Sequence, residues 1–149
     1  MTGLSVIVQR ATQAGRLYPR YDVEAAILSL ESANVRPWPY GVDVDGRLVF
    51  DIDRERVLAN CDLHIGKDRW RVSRDIEWPH GAEPGDIVFS NATLLRKSFS
   101  LPLMVTSNPD EGIVCIEIGE SKHDRLIELS DRCIALLANA ELAGFVSQL

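Results

Sequence analysis

From Tyr40 to Val72 apolar and polar residues alternate with a period of two, the pattern of strands that bury one face. Asp45-Gly46 marks a turn, and the loop length decides which side chains share a face, because a one-residue slip sends every side chain across the sheet. A two-residue loop would pair Val42 with Val49 and bring Asp51 and Asp53 onto the apolar face. A three-residue loop, Val44-Asp45-Gly46 with Gly46 left-handed, pairs Asp43 with Arg47. Val42, Leu48, Phe50 and Ile52 then line one face, and Asp43, Arg47, Asp51 and Asp53 the other, so the pattern selects this loop. After a tight connection at Arg54-Glu55, Val57, Ala59 and Cys61 fall beside Ile52, Phe50 and Leu48, with Asn60, Asp62 and His64 outside. A glycine-first turn at Gly66-Lys67 sets Leu63 and Cys61 against Trp70 and Val72, and pairs Asp62 with Arg71 and His64 with Arg69 on the outer face. Three hairpins that agree on one apolar and one charged face predict an antiparallel meander.

Elsewhere the elements are shorter. Leu4 to Val8 and Arg16 to Tyr21 read as strands, whereas Val23 to Ala33 fits either a helix capped by Asp22 or a strand. Trp78 to Gly85, with two prolines, is a loop and an internal hinge. Asn91 caps a short helix through Lys97, and Leu101 to Ser107 forms a hairpin with Ile113 to Ile118. Ser121 and Asp124 have the spacing of a capping box, and Leu126, Leu129, Cys133 and Leu136 or Leu137 follow on one helical face. That predicts a C-terminal helix, with Leu142 to Gln148 a final strand or short helix. The expected fold is therefore α+β: an antiparallel β-meander, as sandwich or half-barrel, with a C-terminal helix, in a single domain over residues 1–149.

Composition narrows the function classes. With 46% apolar and 26% charged residues the chain is ordinary globular material, and 149 residues suffice for one core. Sixteen Lys and Arg against 22 Asp and Glu leave a net charge of −6, which argues against nucleic-acid and anionic-membrane partners. Cys61, Cys115 and Cys133 are odd in number and widely spaced, the usage of a reducing compartment. No stretch is long and apolar enough to cross a membrane and Met1 to Arg10 lacks the form of a secretory signal, so a cytoplasmic protein is expected.

At Tyr21-Asp22-Val23-Glu24-Ala25-Ala26-Ile27-Leu28-Ser29-Leu30, then Val44-Asp45-Gly46-Arg47-Leu48-Val49 and Asp51-Ile52, the chain resembles a family of short uncharacterised bacterial domains. Their pattern opens YD-x-EAD-x-L and closes with a D-G-R hairpin running into an acidic-apolar strand. The match covers residues 20–53, with Ala26 where the family usually has Asp. The resemblance implies that Ala25 to Leu30 is a strand, and it carries no reaction, cofactor or catalytic residue.

Several residue groups invite chemistry. Asp43, Asp45, Asp51 and Asp53 form the densest acidic cluster, but aligning Gly46 with the glycine of a calcium loop puts Gly41 and Ile52 where carboxylates are needed. Pairing with Arg47 and Arg56 on a solvated face explains them better. Cys61 and His64 are three apart, which on a strand means opposite faces, so Cys61 reads as core. His64, beside Asp62, Arg69 and Arg71, is a general-base candidate or a member of a mixed-charge ladder. Thirteen of the 16 basic residues are Arg, and Lys67, Arg69, Arg71 and Arg74 make a stripe able to receive an acidic partner. Trp38, Tyr40 and Trp78 lie in or beside proline-flanked loops where they can anchor an interface.

None of the phosphate-loop, dinucleotide, nucleophile-elbow or zinc-protease motifs is present. The expectation is a non-catalytic protein-binding module of the bacterial cytoplasm, comparable in size and charge to immunity proteins, antitoxins or secretion chaperones. Its partner-contacting residues would be Trp38, Asp51, Asp53, Asp62, His64, Arg69, Arg71 and Trp78, with no catalytic residue, metal or cofactor. The alternative is a small metal- or phosphate-dependent hydrolase, or a ligand-binding domain, using the charged sheet face.

Overall fold

The computed structural model describes residues 3–149 and folds them into two facing β-sheets. In chain order the strands are β1 (Leu4–Gln9), β2 (Tyr18–Asp22), β3 (Ile27–Glu31), β4 (Tyr40–Val44), β5 (Leu48–Ile52), β6 (Leu58–Leu63), β7 (Arg71–Val72), β8 (Glu83–Pro84) and β9 (Asp86–Phe89). After the helix α1 (Asn91–Arg96) come β10 (Ser98–Phe99), β11 (Leu103–Asn108), β12 (Ile113–Ile118), β13 (Arg125–Ser130), β14 (Cys133–Ala138) and β15 (Glu141–Gln148). The small sheet has the order β10-β4-β5-β6-β3-β2. The large sheet runs β7-β11-β12-β15-β14-β13-β8, and β1 joins it by pairing first with β15 and then with β9. Both sheets are mixed, because β10, β7 and β8 each pair in parallel with a neighbour. A bridge between Val57 and Val88 ties β9 back to the small sheet.

The principal core lies between the sheets. Phe50 from the small sheet meets Phe89 at 5.5 Å and Phe145 of the large sheet at 6.2 Å between ring centroids, both tilted, with Leu30, Leu48, Leu63, Ile116 and Ile127 around them. A second apolar cluster lies on the outer face of the large sheet: Ile113, Ile134, Leu136, Ala138, Ala143 and Val146. It is covered by Ile76, Trp78 and Ala82, because the segment joining β7 to β8 must travel from one edge of the large sheet to the other. Asn108 anchors the start of this strap by donating Nδ2 to the carbonyl of Ile76. The stretch expected as a hinge is thus a cover.

The expected α+β class with a C-terminal helix is overturned by this nearly all-β architecture, in which every element after β10 is a strand. The helical spacing of Leu126, Leu129, Cys133 and Leu136 is coincidental. Cys133–Ala138 is buried at every position, so β14 shows no alternation and reads equally as helix or strand. Two-residue turns at Asp131-Arg132 and Asn139-Ala140 cut the run, the latter with both residues at positive φ, 51° and 62°. Of the open alternatives, Ile27–Glu31 and Glu141–Gln148 are strands. The hairpin of β11 with β12 forms as expected, and so does the short helix, over Asn91–Arg96, with Ser90 in place of Asn91 as its cap.

In the meander the faces are as expected but the registers move. Val44 pairs with Leu48 around Asp45-Gly46-Arg47, a three-residue loop shifted by one, and Phe50 pairs with Cys61. Both shifts conserve parity, so Val42, Leu48, Phe50, Ile52 and Cys61 stay inside, but a bulge opposite Asp51-Ile52 pairs Ile52 with Leu58 and puts Leu58, instead of the expected Val57 and Ala59, in the principal core. The third hairpin does not form. Lys67–Arg69 makes a 3₁₀ turn, the chain leaves the small sheet, and Arg71 pairs with Thr106 of the large one. Trp70 is core at the crossing, its indole N–H donating to the Ile65 carbonyl at 2.8 Å and its ring edge-on to Tyr21.

At Gly144, β15 passes so close to β12 that a Cβ would run into the Ile116 carbonyl oxygen, and φ is 149°. Gly144→Ala should therefore lower unfolding free energy by roughly 2–4 kcal/mol in urea melts. Gly119→Ala, at φ 75° with nothing near its Cβ, should lose only about 1 kcal/mol. Equal losses would contradict the close approach.

Candidate functional site

The residues expected to share one charged face are dispersed. On the small sheet's outer side, Asp62 accepts a hydrogen bond from the Ser29 hydroxyl at 2.6 Å, and Asp51 accepts one from Asn60 Nδ2 at 3.0 Å. His64, exposed beyond the end of β6, donates its amide to the Arg47 carbonyl at 2.7 Å. Neither Asp62–Arg71 nor His64–Arg69 pairs, because both arginines leave with the crossing chain. Trp38 sits half-exposed on the connection from β3 to β4, and Trp78 is half-buried in the strap across the large sheet.

Asp53 is not on a solvated face at all. β5 ends at Ile52, and Asp53 turns inward to 3% exposure, where Oδ1 accepts the amides of Glu55 and Val57 at 2.9 Å each. Its Oδ2 accepts from Arg36 Nε at 2.8 Å, in place of the expected Arg56. Arg36 also donates to the Ala14 carbonyl and the Ser32 hydroxyl, so this ion pair locks three connections together. Removing one partner from a pair buried this deeply strands a charge, typically at 3–5 kcal/mol. Asp53 is structural.

The thiols give no nucleophile. Cys61 and Cys133 lie in the core, and burial pushes both thiols far up. Cys115 faces a groove of about 590 Å³ on the outer face of the large sheet, between the strap at Ile76 and the loop at Lys122-His123. Burial first, then the Glu117 charge, raises its thiol to about 11, so at neutral pH it is a neutral thiol. Among the described residues, no three His, Cys, Asp or Glu side chains gather in a group able to hold a metal ion. Nor does any helix among them have the length and apolarity to cross a membrane.

A concavity of about 690 Å³ lies beside α1 and is bounded by Pro39, Tyr40, Arg56, Leu94, Leu95 and Lys97. Ser90 caps the helix by accepting the Thr93 amide, and Thr93 is its only buried residue, which leaves Leu95 82% exposed. Tyr40, at the start of β4, is 41% exposed. Arg56 and Lys97 hold left-handed backbones, φ 68° and 66°, which cost a non-glycine residue about 1 kcal/mol or more. Among the described residues, neither cation has a carboxylate partner. Sequence reasoning singled out the loop aromatics but missed Leu95. The available signal was the adjacent Leu94-Leu95 pair, since a six-residue helix cannot turn both leucines toward the core.

Compared with known proteins, the chain matches no family model and no curated protein.

Asp51 supplies the pH-dependent test. Burial above all, with the Asp62 charge adding and the Asn60 hydrogen bond opposing, raises its carboxyl above the ordinary value. The folded state then holds this proton more tightly than the unfolded chain. The resulting stabilisation is complete below the ordinary carboxyl range and is lost as pH rises through the raised value, so ionised Asp51 is a net cost at neutral pH. Asp51→Asn, which keeps an acceptor for Asn60, should raise the melting temperature at neutral pH. The gap to wild type should close as pH falls through the carboxyl range; a constant or reversed gap contradicts the assignment.

Proposed function

We propose that this protein is a non-catalytic protein-binding module that docks an acidic partner segment in the groove between Tyr40 and Leu95. The observation that carries the reading is the exposure of these two large side chains on either side of one concavity. Soluble surfaces rarely gather large apolar side chains around a concavity unless something covers them, and aromatic and Arg side chains dominate the energetics of such interfaces. The flanking cations set the partner's charge. Arg56 and Lys97, without carboxylates of their own, complement acidic side chains, while Leu94, Leu95 and Tyr40 receive an apolar anchor. The high thiol of Cys115 and the structural role of Asp53 favour binding over covalent chemistry.

Peptide display on the whole protein tests this. Selection should enrich peptides with acidic residues around one large apolar side chain. A representative peptide should lose at least about tenfold in affinity with Leu95→Asp and several-fold with Arg56→Gln, at unchanged melting temperature. Enrichment without acidic bias, or equal binding to Leu95→Asp, would refute the site.

A further inference from the structure

A third, smaller cavity of about 160 Å³ opens where the chain crosses from the small sheet to the large one. Three arginines line it, Arg47, Arg69 and Arg71, over an apolar wall of Ile65 and Met104. It stands at the opposite end of β4 and β5 from the docking groove: Tyr40 pairs with Ile52 at one end, and Arg47 lies in the loop beyond Val44 and Leu48 at the other.

The charges do not balance there. Arg47 is paired with Asp45 at 2.6 Å, but among the described residues Arg69 and Arg71 have no carboxylate within 4.0 Å. Two uncompensated positive charges thus border one small cavity of a chain whose net charge is −6. Like charges that border one cavity repel each other. A dianion between them would relieve it. Each guanidinium presents five N–H donors in a planar fork that matches phosphate oxygens two at a time.

We propose that the Arg47–Arg69–Arg71 cavity binds a phosphoryl group. The surplus of two positive charges matches a phosphoryl dianion and exceeds what a single carboxylate neutralises. The apolar wall of Ile65 and Met104 leaves room for the carbon substituent of a phosphate ester.

The test is a thermal melt of the whole protein in rising inorganic phosphate, and separately in glycerol phosphate, with ionic strength held constant by chloride. At least one of the two should raise the melting temperature saturably, as a ligand of the native state must, while acetate does not. A larger rise with glycerol phosphate assigns the site to esters, and a larger rise with inorganic phosphate assigns it to the free ion. Arg69→Gln with Arg71→Gln should weaken the response at least about tenfold in apparent affinity without lowering the ligand-free melting temperature. Arg69→Lys with Arg71→Lys, which keeps the charge and loses the fork, should fall between. Absence of any shift beyond the chloride control, or an equal shift in the Gln double variant, would overturn the proposal.

Discussion

The large sheet is apolar on both faces, and that is the constraint from which the rest of the architecture follows. β14 has no polar side chain between Cys133 and Ala138, and its alternate residues enter two different clusters, one facing the small sheet and one facing away. A strand of this kind has to lie in the interior of a covered sheet. The small sheet covers one side. The other is closed by the chain itself, as the strap carrying Ile76, Trp78 and Ala82 passes from β7 to β8. Burying each Ile or Leu is worth about 1.5–3 kcal/mol, which makes this cover as necessary to the fold as the principal core.

The division of labour between the sheets follows. With its inner face spent on the core, the small sheet leaves only its outer side and its two ends for recognition. On the outer side Asp62 takes the Ser29 hydroxyl and Asp51 takes Asn60 Nδ2, while the buried Asn60 Oδ1 accepts no hydrogen bond among the described residues. The ends are different. At one, α1 stops too soon to bury Leu95, and Arg56 and Lys97 flank the gap. At the other, the chain departs for the large sheet with Arg69 and Arg71, neither of them paired with a carboxylate among the described residues, beside Arg47. The cations that border the two proposed sites therefore lie where strands terminate, as expected for a scaffold that positions binding groups on its connections.

What the sequence made legible was governed by alternation. Period-two patterning identified the inner faces of β4 and β5 and the second half of β6 because parity survives a shift of register by two, whereas the bulge opposite Asp51-Ile52 reverses parity and turns Leu58 inward. Alternation stops at a strand end. Asp53 continues the polar phase of Asp51 on paper, but past Ile52 the backbone turns and the carboxylate caps two amides and Arg36. Gly66-Lys67 has the composition of a hairpin turn and instead marks the exit to the other sheet, since Trp70 finds its burial against Tyr21. β14 was illegible for the opposite reason, because burial on both faces erases the pattern. The only surviving signals were the turn residues Asn139-Ala140 and the two-residue gap at Asp131-Arg132.

Amide hydrogen exchange followed residue by residue on the intact chain tests the two-faced sheet most directly. The amides of 133–138 and 142–147 should be the slowest in the protein, exchanging only through global unfolding, while 121–123 exchange early. Exchange of 133–138 at the rate of the exposed 121–123 loop, or helical chemical shifts over 126–137, would contradict it.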